Sequence, residues 1–417
     1  DGDRFADCRD SDCDDDPACS TEICDNGLDD DGDGIQDAGE ADLVRTYLRE
    51  LTINSNGAAD VENLLSGVAA NVISGDITGE PGFPSPTNQT NNLLNVTINA
   101  EQNFILEGQL VFSSNVGGDD FASNDIEDAT ATLNVNGDAD VTLADLDTDD
   151  NDVDALVINH TGSGTLTVGL SSLSTVDPGD LITFNGSATG MDIINISGML
   201  DLSDDVLNDV DTLVLDESGG LFGSNDVSLT ITQAQFDAIG AANIIVNTDG
   251  QTSYLNINEF GAAPFDATTI SEDIDDIDLF MAEGNITLDP TTNLTGVDTI
   301  TVPEGGVLNL TAAQFLQLQG AGTIVGVDED GNPTSDYSVN ITGLTQADID
   351  NGPLDLSDIT ADNVTLSLAE SVELSDDDVL DLDGASSGEV EVLLTDGQDL
   401  GIALFSQADG LNVTGTG

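Results

Sequence analysis

A mainly β chain made of stacked repeats is what this sequence predicts: a repetitive β-solenoid or parallel β-helix-like body, preceded by a short segment of different texture. Three observations carry that expectation. Short alternating runs such as "LLNVTI", "ATLNVNGDADVTL" and "DALVINHTGSGTLTVGL" are separated by Gly, Asp and Asn, the signature of strands joined by turns. Segments recur at a fixed offset, which marks a repeat architecture. Residues 24–40, "CDNGLDDDGDGIQDAGE", hold seven carboxylates and four glycines and suit neither a core nor an ordinary helix.

Composition sets the frame. The 417 residues include 82 acidic against four basic side chains, a formal net charge of −78, with 38% hydrophobic residues. That apolar fraction is enough for a core, so acidity alone does not imply disorder, and the length suits two or three structural units. The four basic residues are Arg4, Arg9, Arg45 and Arg49, so residues 50–417 contain one histidine and no lysine or arginine. Such a body repels nucleic acid and anionic lipid and needs cations from its medium. Asp outnumbers Glu by 64 to 18, which favours turns and hard-cation loops over an acidic helical surface.

Residues 1–40 read as a disulfide-stapled calcium-loop segment. Cys8, Cys13, Cys19 and Cys24 lack the paired C-x2-C and histidines of a zinc site, so local disulfides and an oxidising compartment are expected. Asp29, Asp31, Asp33, Gly34, Asp37 and Glu40 satisfy D-x-[DN]-x-[DN]-G-x5-E, the spacing that wraps oxygen ligands round Ca2+. The carbonyl of Ile35 supplies the seventh-position oxygen and Glu40 closes the shell. Asn26 and Gly27 spoil an entering helix, and Gln36 stands where an EF-hand buries an aliphatic, so the metal is expected without the paired-hand fold. The motif repeats: "DGDRFADC" at 1–8 aligns with "DGDGIQDA" at 31–38, pairing Asp1, Asp3 and Asp7 with Asp31, Asp33 and Asp37. A chain that opens inside a repeat reads as the trimmed product of a longer secreted precursor. These cysteine-interleaved aspartate loops resemble thrombospondin type 3-like calcium repeats of secreted bacterial surface proteins, over about a tenth of the chain. The resemblance implies calcium-rigidified stalks outside the cell.

Residues 41–78 read as a short helical segment. "ADLVRTYLRELTI" puts Leu43, Val44, Tyr47, Leu48 and Leu51 on one stripe, and "AADVENLLSGVAANVI" continues with Val61, Leu64, Leu65 and Val68. Arg45 and Arg49 share a face there, either bridging locally to Asp42 or Glu50 or presented to a neighbouring acidic surface. The prolines of 79–92 mark a linker. Residues 93–150 are β without a clear period, and 151–417 form the repetitive β body. In that body "GMLDLSDDVLNDVDTLVLDESG" from Gly198 and "GNITLDPTTNLTGVDTITVPEG" from Gly284 share one order, strand, polar turn, strand, glycine, over 21 residues, and Gly326 follows Gly305 by another 21. "ITQAQFDAIGAANIIV" at 231 reappears as "LTAAQFLQLQGAGTIV" at 310, with a one-turn helix expected between strands and an echo in "LTQADI" at 344. A unit of about 20 residues cannot bury an apolar face alone, whereas stacked copies can. Tandem immunoglobulin-like β-sandwiches are the alternative architecture. The repeats resemble in texture those of surface-layer, filament and adhesin proteins.

Eleven N-x-[ST] sequons occur, at Asn88, Asn95, Asn159, Asn185, Asn195, Asn285, Asn293, Asn309, Asn340, Asn363 and Asn412. Strand alternation accounts for their form, and glycans on these asparagines are the other reading. Catalytic residues are not expected: the carboxylates single out no acid and base pair, His160 reads as a turn residue, and neither G-x-S-x-G nor G-x-G-x-x-G appears. No apolar run reaches the length that spans a bilayer. The sequence therefore reads as a secreted, calcium-dependent structural protein at the cell surface, self-assembling into an extracellular filament, sheath or surface layer. Its expected partner is itself in a head-to-tail homopolymer, with no nucleic acid and no membrane insertion. The alternative is a monomeric adhesin or ligand-binding stalk of a cell-surface protein.

Overall fold

The computed structural model describes residues 50–55, 61–62, 69–73, 77–78, 93–112, 130–148, 153, 155–171, 181–216, 226–247, 251–282, 284–318, 322–350, 356, 359–374, 389–394, 400–402 and 411–415. The chain is mainly β. Strands β1 (Glu50–Ser55), β2 (Val61–Glu62), β3 (Ala69–Ile73) and β4 (Ile77–Thr78) come first. Then follow β5 (Asn95–Ala100), β6 (Phe104–Phe112), β7 (Thr130–Gly137), β8 (Val141–Thr148), β9 (Ala155–His160), β10 (Thr165–Ser171), β11 (Leu181–Asn185) and β12 (Met191–Ser197). The middle of the chain gives β13 (Met199–Asp201), β14 (Val206–Asn208), β15 (Thr212–Asp216), β16 (Val227–Thr232), helix α1 (Gln233–Ile239), β17 (Ile244–Asn247), β18 (Ser253–Phe260) and β19 (Asp276–Met281). Next are β20 (Asn285–Thr287), β21 (Thr299–Pro303), β22 (Val307–Thr311), α2 (Ala312–Leu318), β23 (Thr323–Val327), β24 (Pro333–Thr334), β25 (Ser338–Leu344) and α3 (Gln346–Asp350). The last are β26 (Asn363–Leu368), β27 (Val372–Leu374), β28 (Glu389–Leu394), β29 (Leu400–Ile402) and β30 (Leu411–Gly415).

The strands assemble into four large sheets. The first has the order β1-β5-β7-β9-β11-β14 and the second β17-β15-β12-β10-β8-β6-β3-β2, with β4 beside β6. The third runs β13-β16-β18-β19-β21-β23-β24 and the fourth β20-β22-β25-β26-β28-β30, while β27 and β29 pair separately. From β5 to β12 successive strands alternate between the first and second sheets, so each strand pairs with the next strand but one. Every pairing among the described residues is parallel except β2 with β3 and β23 with β24. Immunoglobulin-like sandwiches are antiparallel, so that alternative does not describe these sheets.

Alternation within each strand makes the core. In β5, "NVTINA", every second residue turns inward, and Val96 stands in register with Leu133, Ile158 and Phe184, all four fully buried. In the second sheet the corresponding column is Leu106, Leu143, Val168, Ile194, Leu213 and Ile244. The third sheet contributes Ile257, Leu279, Ile300 and Ile324, and the fourth Leu310, Ile341, Leu366 and Val392. Inward residues of all four sheets belong to one continuous apolar cluster. Full burial of such aliphatics stabilises the fold by about 1.5–3 kcal/mol each, and a one-residue slip would turn a whole strand inside out.

Several expectations need correction. The described part of 41–78 is strand, not a pair of amphipathic helices. Leu51 pairs with Val96 and Ile53 with Ile98, so the partner strand overrides the local helical stripe. The first two sheets also run across residue 150 without a break, since β7 pairs with β9 and β8 with β10. Their period is hidden in 93–150 because Asn99 and Asn136, one above the other, are 37 residues apart, whereas Asn134 and Asn159 are 25 apart. The repeat glycines differ in role. Gly198, Gly284 and Gly305 precede β13, β20 and β22 at φ of 104°, 94° and 71°, where a side chain would strain the turn. Gly326 lies inside β23, and a Cβ there would sit 2.5 Å from the Tyr337 ring.

The expected helices between strands are present as α1 and α2, each of seven residues, with the five-residue α3 at the fainter echo. Thr232 caps α1 by accepting from Gln235 N, while the Gln235 side chain accepts from Thr232 N at 2.7 Å. Thr311 with Gln314, and Thr345 with Asp348, repeat this arrangement.

Candidate functional site

The expected calcium ligands Asp1, Asp3, Asp7, Asp29, Asp31, Asp33, Ile35, Asp37 and Glu40 lie outside the described residues, as do the four cysteines and Arg45 and Arg49. Among the described residues, no group of three or more His, Cys, Asp or Glu side chains is placed to hold a metal ion. No helix among them is long and apolar enough to cross a membrane. The chemistry of the described body lies in how its polar side chains tie one level of strands to the next.

Asparagine does this on the outer face of the first sheet. Asn99 donates to Asn54 Oδ1 at 2.9 Å, Asn136 to Asn99 at 3.1 Å, and Thr161 Oγ1 to Asn136 at 2.8 Å. A second ladder runs from Asn208 to Asn185 at 3.0 Å, from Asn185 to Asn159 at 2.9 Å, and from Asn159 to Asn134 at 3.0 Å. Each inner amide (Asn99, Asn136, Asn159 and Asn185) both donates and accepts, which requires polar side chains at the same register on strands about 4.8 Å apart. Among the described residues the fourth sheet has one such step, Asn340 to Asn309 at 2.7 Å.

Aspartate does the same at the turns. Asp140 Oδ1 accepts from Thr165 N at 2.9 Å, Asp298 Oδ2 from Ile277 N at 2.9 Å, Asp275 Oδ2 from Ser253 N at 2.9 Å, and Asp205 Oδ1 from Ile182 N at 2.6 Å. These N–H groups belong to the first or second residue of a strand, and a carboxylate from a neighbouring level satisfies them. Much of the aspartate excess in the body therefore has a structural use that needs no metal.

Glutamine links the helices to the previous level. Gln235 Nε2 donates to the carbonyls of Leu202 at 2.7 Å and Asp205 at 2.9 Å. Gln314 Nε2 reaches Asp289 O at 2.7 Å and Thr292 O at 3.2 Å. One side chain thus caps its own helix and staples the turn beneath it.

The sole histidine is not a simple turn residue. His160 ends β9 with its side chain inward, and its Nδ1 is hydrogen-bonded with Asp192 Oδ1 at 2.8 Å, the two side chains being 2% and 0% exposed. Asp192 Oδ2 accepts from Ser187 N at 2.7 Å, and Ser187 Oγ donates to Gly162 O. Asp192 N and Asp211 Oδ2 are 2.8 Å apart. The His160 ring also excludes a side chain at Gly190, whose Cβ would lie 2.7 Å from it. This knot ties the β9–β10 turn to the β11–β12 turn. In "MDIINIS" the alternation puts a charge at position 192 on the inward face, and that was the sequence signal for it.

A cleft of 540 Å³ is lined by Asp201, Ser203, Asp204, Thr232, Glu259 and Met281, among others. Glu259 adopts φ 54° where the β18–β19 register shifts between Ile257 and Phe260, a bulge that re-aims the strand. Beside this cleft Asp205 is pushed up to about 6, first by burial and then by Asp201 and Asp204, against the opposing hydrogen bond from Ile182. Burial likewise raises Asp278 and Asp276, with Asp298 adding repulsion at both. Hydrogen bonds from Thr291 and Asn332 lower Asp289 and Asp328 at the surface. At Asp205, Asp276 and Asp278 burial and like charge favour the neutral form. No protein-family model, curated protein or solved structure matches this chain at a significant level, so its fold and chemistry stand on its own residues.

Proposed function

We propose that this is an extracellular structural protein whose body is a β-solenoid and which assembles head to tail into a filament, sheath or surface layer, with Ca2+ held by residues 1–40. The observation that carries this reading is the parallel register of alternating strands, held between levels by amide ladders. Such a stack spends its polar side chains on stacking itself. The first and fourth sheets end, among the described residues, in β1 and β30, each with one parallel partner. An edge of that kind accepts a further strand, and a contact between unlike ends propagates as an open polymer. Charge favours the same geometry. All four arginines precede residue 50 and the remaining chain is acidic, so end-to-end contact pairs unlike charges while side-by-side contact pairs like ones.

Calcium's part in this reading rests on the loop spacing at 29–40, which predicts a dissociation constant on the order of 10⁻⁵ to 10⁻³ M for an extracellular module. The test is negative-stain microscopy of the purified chain with Ca2+ and with chelator, beside a version lacking residues 1–49. The reading predicts polymers only for the intact chain with Ca2+. A monomer under every condition would favour the adhesin-stalk alternative. Polymers of the shortened chain would move the joint into the body.

A further inference from the structure

Nine of the eleven sequon asparagines have described side chains, and they divide by what their amide nitrogens do. In Asn159, Asn185, Asn309 and Asn340 the Nδ2 donates to Asn134 Oδ1, Asn159 Oδ1, Ile286 O and Asn309 Oδ1 at 3.0, 2.9, 2.9 and 2.7 Å. All four stand past the first residue of their strands, between levels. Asn95, Asn285 and Asn363 are instead the first residues of β5, β20 and β26, all exposed, and their amides bond to no described residue. In each, the next residue (Val96, Ile286 or Val364) is more buried than the asparagine, and the strand period returns Thr97, Thr287 or Thr365 to the asparagine's own side. Asn285 and Asn363 also share one column, through Val307 and Ser338. Asn195 and Asn293 are half-buried, the latter turned so that its Oδ1 accepts from Thr295 N at 3.2 Å.

We propose that Asn95, Asn285 and Asn363 carry N-linked glycans and that the four ladder asparagines do not. The donor is an oligosaccharide on a lipid pyrophosphate carrier. Nδ2 forms a bond to the anomeric carbon, the bond from that carbon to the pyrophosphate oxygen breaks, the lipid pyrophosphate leaves with the electron pair, and Nδ2 releases one proton. Nothing is oxidised or reduced. A sugar on a ladder amide would crowd the side chains that stand about 4.8 Å above and below it, so close stacking opposes a glycan there. At the strand starts the sugar leaves the outer face beside a turn and disturbs no bond. In the fourth sheet it would crowd the outer face and oppose side-by-side packing. The inference rests on the reading that the protein is exported.

The test is glycopeptide mass spectrometry of the protein from the surface and cytoplasmic fractions of its source cells, with amidase release in heavy-oxygen water to tag each occupied asparagine. Tags at Asn95, Asn285 and Asn363, with Asn159, Asn185, Asn309 and Asn340 untagged, support the proposal. A tag on any ladder asparagine overturns it, as does a surface protein bare at all three strand starts, which leaves the export reading standing. A bare protein found only in the cytoplasm overturns both. In the variant carrying N285Q and N363Q, two glycan masses should be lost with no change in melting temperature. The N159Q variant should lose no mass and melt earlier.

Discussion

The first two sheets and the last two hold one parallel level on the next with different side chains. In the first pair the work is done on the outer face by asparagine meeting asparagine, at steps of 25, 26 and 23 residues. In the second pair it is done from the turns, where Gln314 reaches back 25 residues and Gln235 reaches back 33 to carbonyls of the level beneath. An amide ladder needs the same residue at the same register in every level, while the chain between can vary, since the steps from Asn54 to Asn99 and from Asn99 to Asn136 span 45 and 37 residues. A capped helix with a glutamine at its third position needs no matching side chain in the level beneath, because its amide finds backbone carbonyls of the turn. The step from Asn309 to Asn340 spans 31 residues with α2 inside it, and there the two devices occur together.

The largest effect that would break this comparison lies outside both devices. Replacing Asp192 with Ala strands the His160 ring and leaves the Ser187 N–H without its acceptor in a buried site, and should cost about 3–5 kcal/mol in urea unfolding. A loss under about 1 kcal/mol would mean that the knot does not hold the first two sheets. Next comes Gln314→Ala, which removes a helix cap and takes the amide donor from Thr292 O at a buried residue, while Asp289 O keeps the Thr292 N–H, for a cost of about 2–3 kcal/mol. Gln235→Ala should cost less, since Gln235 is only half-buried. Equal losses at the two glutamines would show that burial does not set the strength of the staple.

Within the ladders, position should decide. Asn159→Ala breaks a bond on each side and should cost about 1–2 kcal/mol, whereas Asn54→Ala, at the end strand β1, should cost about half that. Thermal melts of the two variants compare them directly.

An effect of similar size at Asp205 has the opposite sign. Asp205 titrates near 6 in the folded chain, above the ordinary carboxylate value, so folding favours its protonated form. Its contribution is fully present below about pH 4 and is lost as pH rises through about 6. Asp205→Asn keeps an acceptor for the Ile182 N–H and should raise stability at pH 7 by on the order of 1 kcal/mol, flattening the melting curve between pH 4 and 6. A destabilised Asp205→Asn variant would contradict the burial argument.

Much of this architecture was legible in the sequence because stacking repeats the same local pattern. The alternation in "LNVTI" and "ATLNVNG", the paired "TQAQF" and "TAAQF" segments, and the glycines at 198, 284 and 305 all correspond to strands, helices and turns. The strand at Glu50–Ser55 was not legible, because Leu48 and Leu51 fit a helical stripe and only the partner β5 decides otherwise. The ladders left a trace in Asn134, Asn159, Asn185 and Asn208, but single asparagines at turn-rich positions gain meaning only when register puts one over another. The His160–Asp192 contact was likewise hidden, since its partners lie 32 residues apart on different sheets.

The measurement that bears most directly on head-to-tail stacking is X-ray diffraction from oriented assemblies formed in Ca2+. If each chain continues the strand stack of the one before it, the spacing of about 4.8 Å between strands lies along the filament axis and appears as a meridional reflection. The same reflection on the equator would place the strands along the axis, which contradicts head-to-tail stacking and means that chains join through their flanks instead of their ends.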